Sequence, residues 1–442
     1  MLTSSVAFSA VIMILAVAVL VWLSMRNIPM WLGAIVAAMI IGICTSEGPL
    51  GILFGTFSNG VSMMVANLGI VYLMGMIFAD ALTTSGCGDR IGTFLMDKLS
   101  VKAAPFCIMI PTLLLAFGGI GSYPFIMAPI CFAVLKKANL PRMVGVVILC
   151  GSYSLIGFLI PGTTLSTNVL AANLFGTTLF AGADVGIIMF VVGVVLNILY
   201  YIWLCNDCRK KGIGYTPTEL EKESGERNSE DAPSFIMSVI PLLIAFVGSF
   251  IFQLGLGFNS NMTAVCAQGL AVIFIYATNW KRMTAFNGNK LMQLANSMKS
   301  AFAPLMIACF VMGFSMCLSQ TAIYQQIAKI LTGLNGNPYV VTVIAIMILA
   351  CIMGAPTTAI TTFAPGIGAT LIARGADASL IHRLAMAAGT TFDSMPWSVS
   401  LILNFQVLGV TLKEAYKNVI VVQIVITTIY TLVGLAYVLI FH

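Results

Sequence analysis

The chain has 442 residues, of which 60% are hydrophobic and 8% charged, and its mean hydropathy is +1.03. A soluble domain carries about a quarter charged residues, so the composition excludes one and points to an all-α polytopic membrane protein with recurring apolar spans of roughly 20 residues. The net charge of +6 comes from basic residues near span ends and does not indicate a nucleic-acid partner, while eleven cysteines, set mostly in apolar runs, read as small buried hydrophobes and not as a disulfide framework.

The first apolar run, from Val6 to Leu23, lacks a basic leading region and a small-residue cleavage site, so it reads as a retained span. Spans are predicted at about 5–24, 29–45 and 66–84, followed by a helical hairpin (104–120 and 123–137), a broken helix (143–157 and 164–176) and a span at 182–205. A polar linker, 206–233, is too short for a soluble domain. It opens with Cys205-Asn206-Asp207-Cys208, a lone CxxC without the second pair a metal site needs. The same order then returns: spans at about 234–254, 258–279 and 300–320, a hairpin (338–354 and 358–373), a broken helix (379–391 and 398–409) and a last span at 416–441. The third span of each half is followed by a short amphipathic helix. Its apolar residues are Ile91, Phe94, Leu95 and Leu99 in one half, and Ile323, Ile327, Ile330, Leu331 and Leu334 in the other, a pattern expected along a membrane interface.

The reading is therefore of two repeats, 1–205 and 234–442, each with scaffold spans (5–84 and 234–320) and a hairpin plus broken helix (104–176 and 338–409). If each hairpin enters and leaves on one side, eighteen of the 21 basic residues are cytoplasmic and three, Lys329, Arg374 and Arg383, are outer. Positive charge favours the cytoplasmic side, so the hairpins are re-entrant from opposite faces and the repeats have inverted topology. Full crossings would instead need loops inside the bilayer at Gly121 and Gly354.

Both halves carry Gly/Pro interruptions in apolar sequence, the sequence pointer to a transporter's binding site. Of fifteen carboxylates only Asp80 and Asp393 fall in spans. Asp80, near the inner end of its span, reads as structural or interfacial, within reach of interfacial water. Asp393, between Thr391 and Ser394 and just before Pro396, stands at a helix break, where it can bind a cation or exchange a proton, or cap the half-helix that follows. Thr163, Thr164, Ser166, Thr167 and Asn168 follow the Pro161-Gly162 break, and Thr357 and Thr358 follow Pro356. Half-helix N-termini present free N–H groups to an anion, and hydroxyls with unwound carbonyls offer hard oxygen ligands to a small cation. Gly121, Ser122 and Tyr123 form the first hairpin tip; Tyr123 and Trp397 are placed to wall a small cavity. The candidate substrate-binding set is thus Gly121, Ser122, Tyr123, Thr163, Thr164, Ser166, Thr167, Asn168, Thr357, Thr358 and Ser394, with Asp393, Thr391 and Asn168 for ion coupling and no metal or cofactor. His382 reads as a surface residue and Arg383 as an outer anchor or an attractor of anions.

Gly86-Cys87-Gly88-Asp89-Arg90-Ile91, Pro129-Ile130-Cys131-Phe132 running on to Ala138-Asn139-Leu140-Pro141, Gly157-Phe158-Leu159-Ile160-Pro161, His382-Arg383-Leu384-Ala385 and Asp393-Ser394-Met395-Pro396 together resemble the gluconate permease family and its citrate-transporter relatives in the ion transporter superfamily. The resemblance implies a cation-coupled, usually proton-driven importer of small organic anions in the plasma (inner) membrane, and a homodimer in which a transport portion moves past a scaffold. The family pattern has a Glu where Gly121 stands and His residues near Ile156 and Gly162. Their loss suits a smaller or less hydroxylated carboxylate and leaves Asp393 as the main coupling candidate. Sodium coupling is the close alternative. A passive channel or a membrane enzyme fits less well: there is no HExxH or GxSxG in suitable context and there are two histidines in all.

Overall fold

A computed structural model describes residues 5–26, 28–217, 233–283, 289, 292–334 and 336–442. Most of the predicted linker, with Lys222 and Arg227, and also Lys290, lies outside the described residues. The described elements are helices, and eight of those are long and apolar enough to cross a membrane.

The chain opens with α1 (Val6–Met25), α2 (Met30–Gly42), α3 (Gly48–Thr84) and the short amphipathic α4 (Cys87–Lys98). Next come α5 (Ala104–Phe117), α6 (Tyr123–Ala138), α7 (Arg142–Leu159), α8 (Ser166–Phe175) and α9 (Ala183–Lys210). The second half repeats the order with α10 (Phe235–Gly255), α11 (Ser260–Asn279), α12 (Met292–Ser319) and α13 (Ala322–Thr332). It closes with α14 (Pro338–Met353), α15 (356–373), α16 (Ala378–Gly389), α17 (Val399–Val407) and α18 (Leu412–Phe441).

Local chemistry sets most boundaries. Ser5, Thr321, Asn337 and Asp377 each accept a backbone N–H of the first turn they precede, satisfying donors a helix start leaves orphaned. Thr411 and Glu414 form a reciprocal capping box that starts α18 at Leu412, four residues before the predicted 416. The largest departure is α3, which begins at Gly48 and not at 66. Gly, Pro and Ser between 48 and 60 suggest a loop, but the helix passes through a wide turn at Leu53–Phe57. There the Glu47 carboxylate accepts both the backbone N–H and the hydroxyl of Thr56.

The main apolar core is built chiefly from α4–α9 and α14–α18, with the C-terminal end of α3 and residues of α10, α11 and α13. A second core joins α1 and α2 to α12, and a third joins α3 to α11 and α12. α3 packs along α12, α9 along α18, α5 along α7 and α14 along α16. Asp80 on α3 accepts hydrogen bonds from Gln293 (2.7 Å) and Ser297 on α12. It ties two long helices together, the structural one of the two roles read from the sequence.

Candidate functional site

Two helices are interrupted inside the bundle. Between α7 and α8 the backbone is extended at Ile160 (φ −73°, ψ 129°) and left-handed at Gly162 (φ 84°). Pro161 accounts for both ends of this break: it disfavours helical backbone at the residue before it and has no N–H to give. Between α16 and α17 the chain is non-helical from Thr390 to Ser398. Each hairpin also turns on glycine. Gly119 (φ 72°) leads to α6 and Gly354 (φ 61°) to α15, where Ala355 is extended (φ −154°, ψ 123°) ahead of Pro356.

These four irregular segments lie against one another. Thr163 and Thr164 donate to the Phe117 carbonyl at the end of α5, both at 3.3 Å. A Cβ on Gly119 would stand 2.6 Å from the Thr164 carbonyl oxygen, so only glycine allows this approach. Thr167 on α8 shares a hydrogen bond of 2.8 Å with Thr357 at the start of α15. Asn404 on α17 donates at 2.9 Å to the Tyr123 hydroxyl at the start of α6. The Tyr123 ring stacks on Tyr153 of α7, centroids 4.2 Å apart. Trp397 donates to the Ile352 carbonyl (3.1 Å) and its ring closes over Gly354. Tyr123 and Trp397 thus pack the hairpins onto the broken helices.

Asp393 is buried in the second interruption, where Ser394 Oγ donates to its Oδ1 at 2.9 Å. It does not cap α17: that start has no side-chain cap. Thr391 turns its hydroxyl to the Ala388 carbonyl, and Thr390 bonds Tyr430 of α18 at 2.8 Å. Of the predicted residues, Gly121 faces open space, Ser166 is exposed, Thr358 is half-buried, and Ser122 is fully buried, donating to Gln268 Oε1 at 3.1 Å.

His382 and Arg383 require correction. Both are completely buried, where a surface residue and an outer anchor are expected from the sequence. Asn168 Nδ2 donates to the carbonyls of Thr163 (2.9 Å) and Leu179 (3.2 Å). Its Oδ1 must therefore accept, so the proton of the His382–Asn168 bond (3.0 Å) sits on His382 Nε2. Thr177 Oγ1 shares a hydrogen bond of 2.7 Å with the other ring nitrogen, Nδ1. Arg383 spends Nε, Nη1 and Nη2 on the carbonyls of Ala181 (2.9 Å), Phe158 (3.1 Å) and Leu179 (3.2 Å). Gly182 and Gly186 make room for its stem. The pair braces the end of α7 and the 176–182 segment, supplying side-chain donors to carbonyls of Phe158, Leu179 and Ala181.

Gln268 and Asn404 have no place in the sequence-based set. Each is a buried amide in an apolar helix, and each leaves one polar atom, Gln268 Nε2 and Asn404 Oδ1, without a hydrogen-bond partner. An amide in the middle of an apolar run is the available sequence signal. Among the described residues no group of three His, Cys, Asp or Glu side chains could hold a metal ion.

A multi-helix apolar bundle whose interior is interrupted by polar, non-helical backbone defines a multi-pass membrane transport protein. The GntP family permease profile matches residues 8–442, and the chain belongs to that family. It is 20% identical to an uncharacterized transporter, YxjC, of Bacillus subtilis (strain 168), over 96% of this chain and 99% of that protein. It is 22% identical to the gluconate permease of Pseudomonas aeruginosa, with 92% of each chain covered. The Gnt-II system L-idonate transporter of Escherichia coli (strain K12) is 21% identical over 82% of this chain and 84% of its own. Among solved structures, the Alcanivorax borkumensis YdaH transporter aligns with 90% of this chain and 89% of its own at 16% identity and a TM-score of 0.39. The protein is a transporter and not an enzyme.

Proposed function

We propose that this protein is a secondary active transporter that imports a small carboxylate by proton symport, with the hairpins and broken helices moving as one unit past the remaining helices. The observation that carries this reading is a reciprocal pair of contacts. The second arm of each hairpin opens on a residue that is hydrogen-bonded to the broken helix of the other half: Tyr123 to Asn404, and Thr357 to Thr167. Such exchange is what two inverted copies meeting at a pseudo-twofold axis would produce. The packing of α3 on α12 and of α9 on α18, each joining like elements of the two halves, supports the same symmetry.

The re-entrant reading of α5–α6 and α14–α15, and the homodimer, follow from this arrangement as expectations. Gluconate and L-idonate, named for two relatives, set the substrate class to test first. Gly121, Ile156 and Gly162 favour a smaller or less hydroxylated acid, since they offer fewer polar partners. Asp393 is the proposed coupling group, with Thr391 and Asn168 beside the two breaks; their oxygen chemistry also suits sodium. Melting temperatures of the purified protein against a panel of small carboxylates, each with and without sodium, test the reading. A carboxylate-specific rise is expected, because a ligand that binds only the folded state stabilises it. A flat response across the panel, with no uptake of any carboxylate in proteoliposomes, would contradict the proposal.

A further inference from the structure

A second space, with a mixed polar and apolar lining, lies beside the first interruption. A cleft of about 580 Å³ separates α8 and the segment after it from the α10–α11 corner. Its lining mixes apolar residues with neutral polar ones, Asn173, Thr177 and Gln253 among them, and no charged side chain lines it.

The wall of this cleft is wired to the break. Thr177 lines it and bonds His382, which bonds Asn168, which holds the Thr163 carbonyl. Leu179 also lines it, and its carbonyl accepts from both Asn168 and Arg383. Arg383 therefore sits one peptide group behind the wall. All its hydrogen bonds go to uncharged carbonyls, and among the described residues it has no carboxylate partner. Asp184 is the acid nearest in sequence to the glycines packed on Arg383, but it points elsewhere. Gly182 and Gly186, one helical turn apart, face Arg383, whereas Asp184, midway between them, pairs with His442. No paired carboxylate among the described residues therefore cancels the field of this buried charge.

We propose that this cleft is the access vestibule of the transport site and that Arg383, fixed behind its wall, makes it select anions. This rests on the carboxylate-transporter reading and adds the route and the selecting charge. In the orientation favoured by the basic residues the vestibule opens outward. Low-dielectric walls focus the field of a buried charge into a cleft, so the guanidinium raises the local concentration of any small anion without touching it. His382 holds the wall in place through its bonds to Thr177 and Asn168.

The test is charge-selective labelling. Asn173→Cys places a thiol in the cleft, and the unsubstituted chain serves as the blank for the eleven native cysteines. Purified protein in neutral micelles is reacted with the anionic sulfonatoethyl and the cationic trimethylammonioethyl methanethiosulfonates. The ratio of the two rates is referred to the same ratio for a small neutral thiol, so that any change in thiol reactivity cancels. The reagents differ by two charges, and a potential of one kT raises the ratio about sevenfold. The expected result is a raised ratio with Arg383 in place, kept in Arg383→Lys and lost in Arg383→Gln. An unreactive thiol or a ratio at the reference value overturns the proposal, as does a folded Arg383→Gln variant with the ratio intact. If Arg383→Gln does not fold, the ratio in the native background decides whether the cleft selects anions. Carboxylate uptake is measured separately: uptake with charge-blind labelling overturns the vestibule alone. Charge-selective labelling without any uptake overturns the carboxylate reading and leaves the anion-selective cleft supported.

Discussion

Thr167 and Thr357, 190 positions apart in sequence, share a hydrogen bond of 2.8 Å between the first interrupted helix and the second hairpin. Asn404 and Tyr123 make the converse link, 281 positions apart, at 2.9 Å. If the two interruptions and two hairpins act as one body, these bonds hold it together. Substituting Val at Thr167 and at Thr357 should then destabilise the protein non-additively. Interhelical hydrogen bonds in membrane proteins couple by about 0.6 kcal/mol, and that is the expected interaction term in a double-mutant cycle of thermal unfolding. Additive effects would mean that the two hydroxyls merely face each other.

The glycines of the first hairpin tip should differ sharply. At Gly119 a Cβ would meet the Thr164 carbonyl at 2.6 Å in a left-handed conformation (φ 72°). Gly119→Ala is expected to cost about 1–3 kcal/mol. At Gly121 nothing lies within 4 Å of the same atom. Gly121→Ala should therefore stay within about 0.5 kcal/mol of the parent in stability, while slowing uptake if the tip meets substrate. Melting curves and initial uptake rates on both variants separate fold from function.

Arg383→Met should be among the most damaging single changes outside the proposed site. It removes a donor from three buried carbonyls; that of Leu179 keeps Asn168, but those of Ala181 and Phe158 lose the guanidinium, and each orphaned group costs about 1–3 kcal/mol. Arg383→Lys keeps the charge but not the three-way fork, and should fall between. The yield of monodisperse protein and its melting temperature give the order; a stable Arg383→Met would show that the carbonyls find other donors.

Much of the fold was legible because bilayer constraints are simple. Apolar runs, Pro161 with Gly162 and Gly354 with Pro356 marked spans and breaks to within a few residues, since proline and glycine act through local backbone geometry. The start of α3 was not legible. Its Gly/Ser-rich first turns look like a loop unless Glu47 is known to reach Thr56. His382 and Arg383 were misread for a related reason. Near a span end a histidine and an arginine look solvated, and only the tertiary fold shows Phe158, Leu179 and Ala181 converging on the guanidinium. Gln268 and Asn404 were passed over because neutral amides do not stand out in a search for charge.

The central claim is that an ion gradient drives carboxylate uptake through the interrupted centre, with Asp393 as the coupling group. Accumulation of a labelled carboxylate in proteoliposomes, compared between the parent and Asp393→Asn, tests it most directly. The parent should concentrate the solute above the outside level and lose that excess with an uncoupler or, under sodium coupling, with collapse of the sodium gradient. Asp393→Asn should equilibrate the solute without concentrating it. Concentrative uptake by Asp393→Asn equal to the parent, or parent uptake that stops at equilibrium under every ion gradient, would contradict the account.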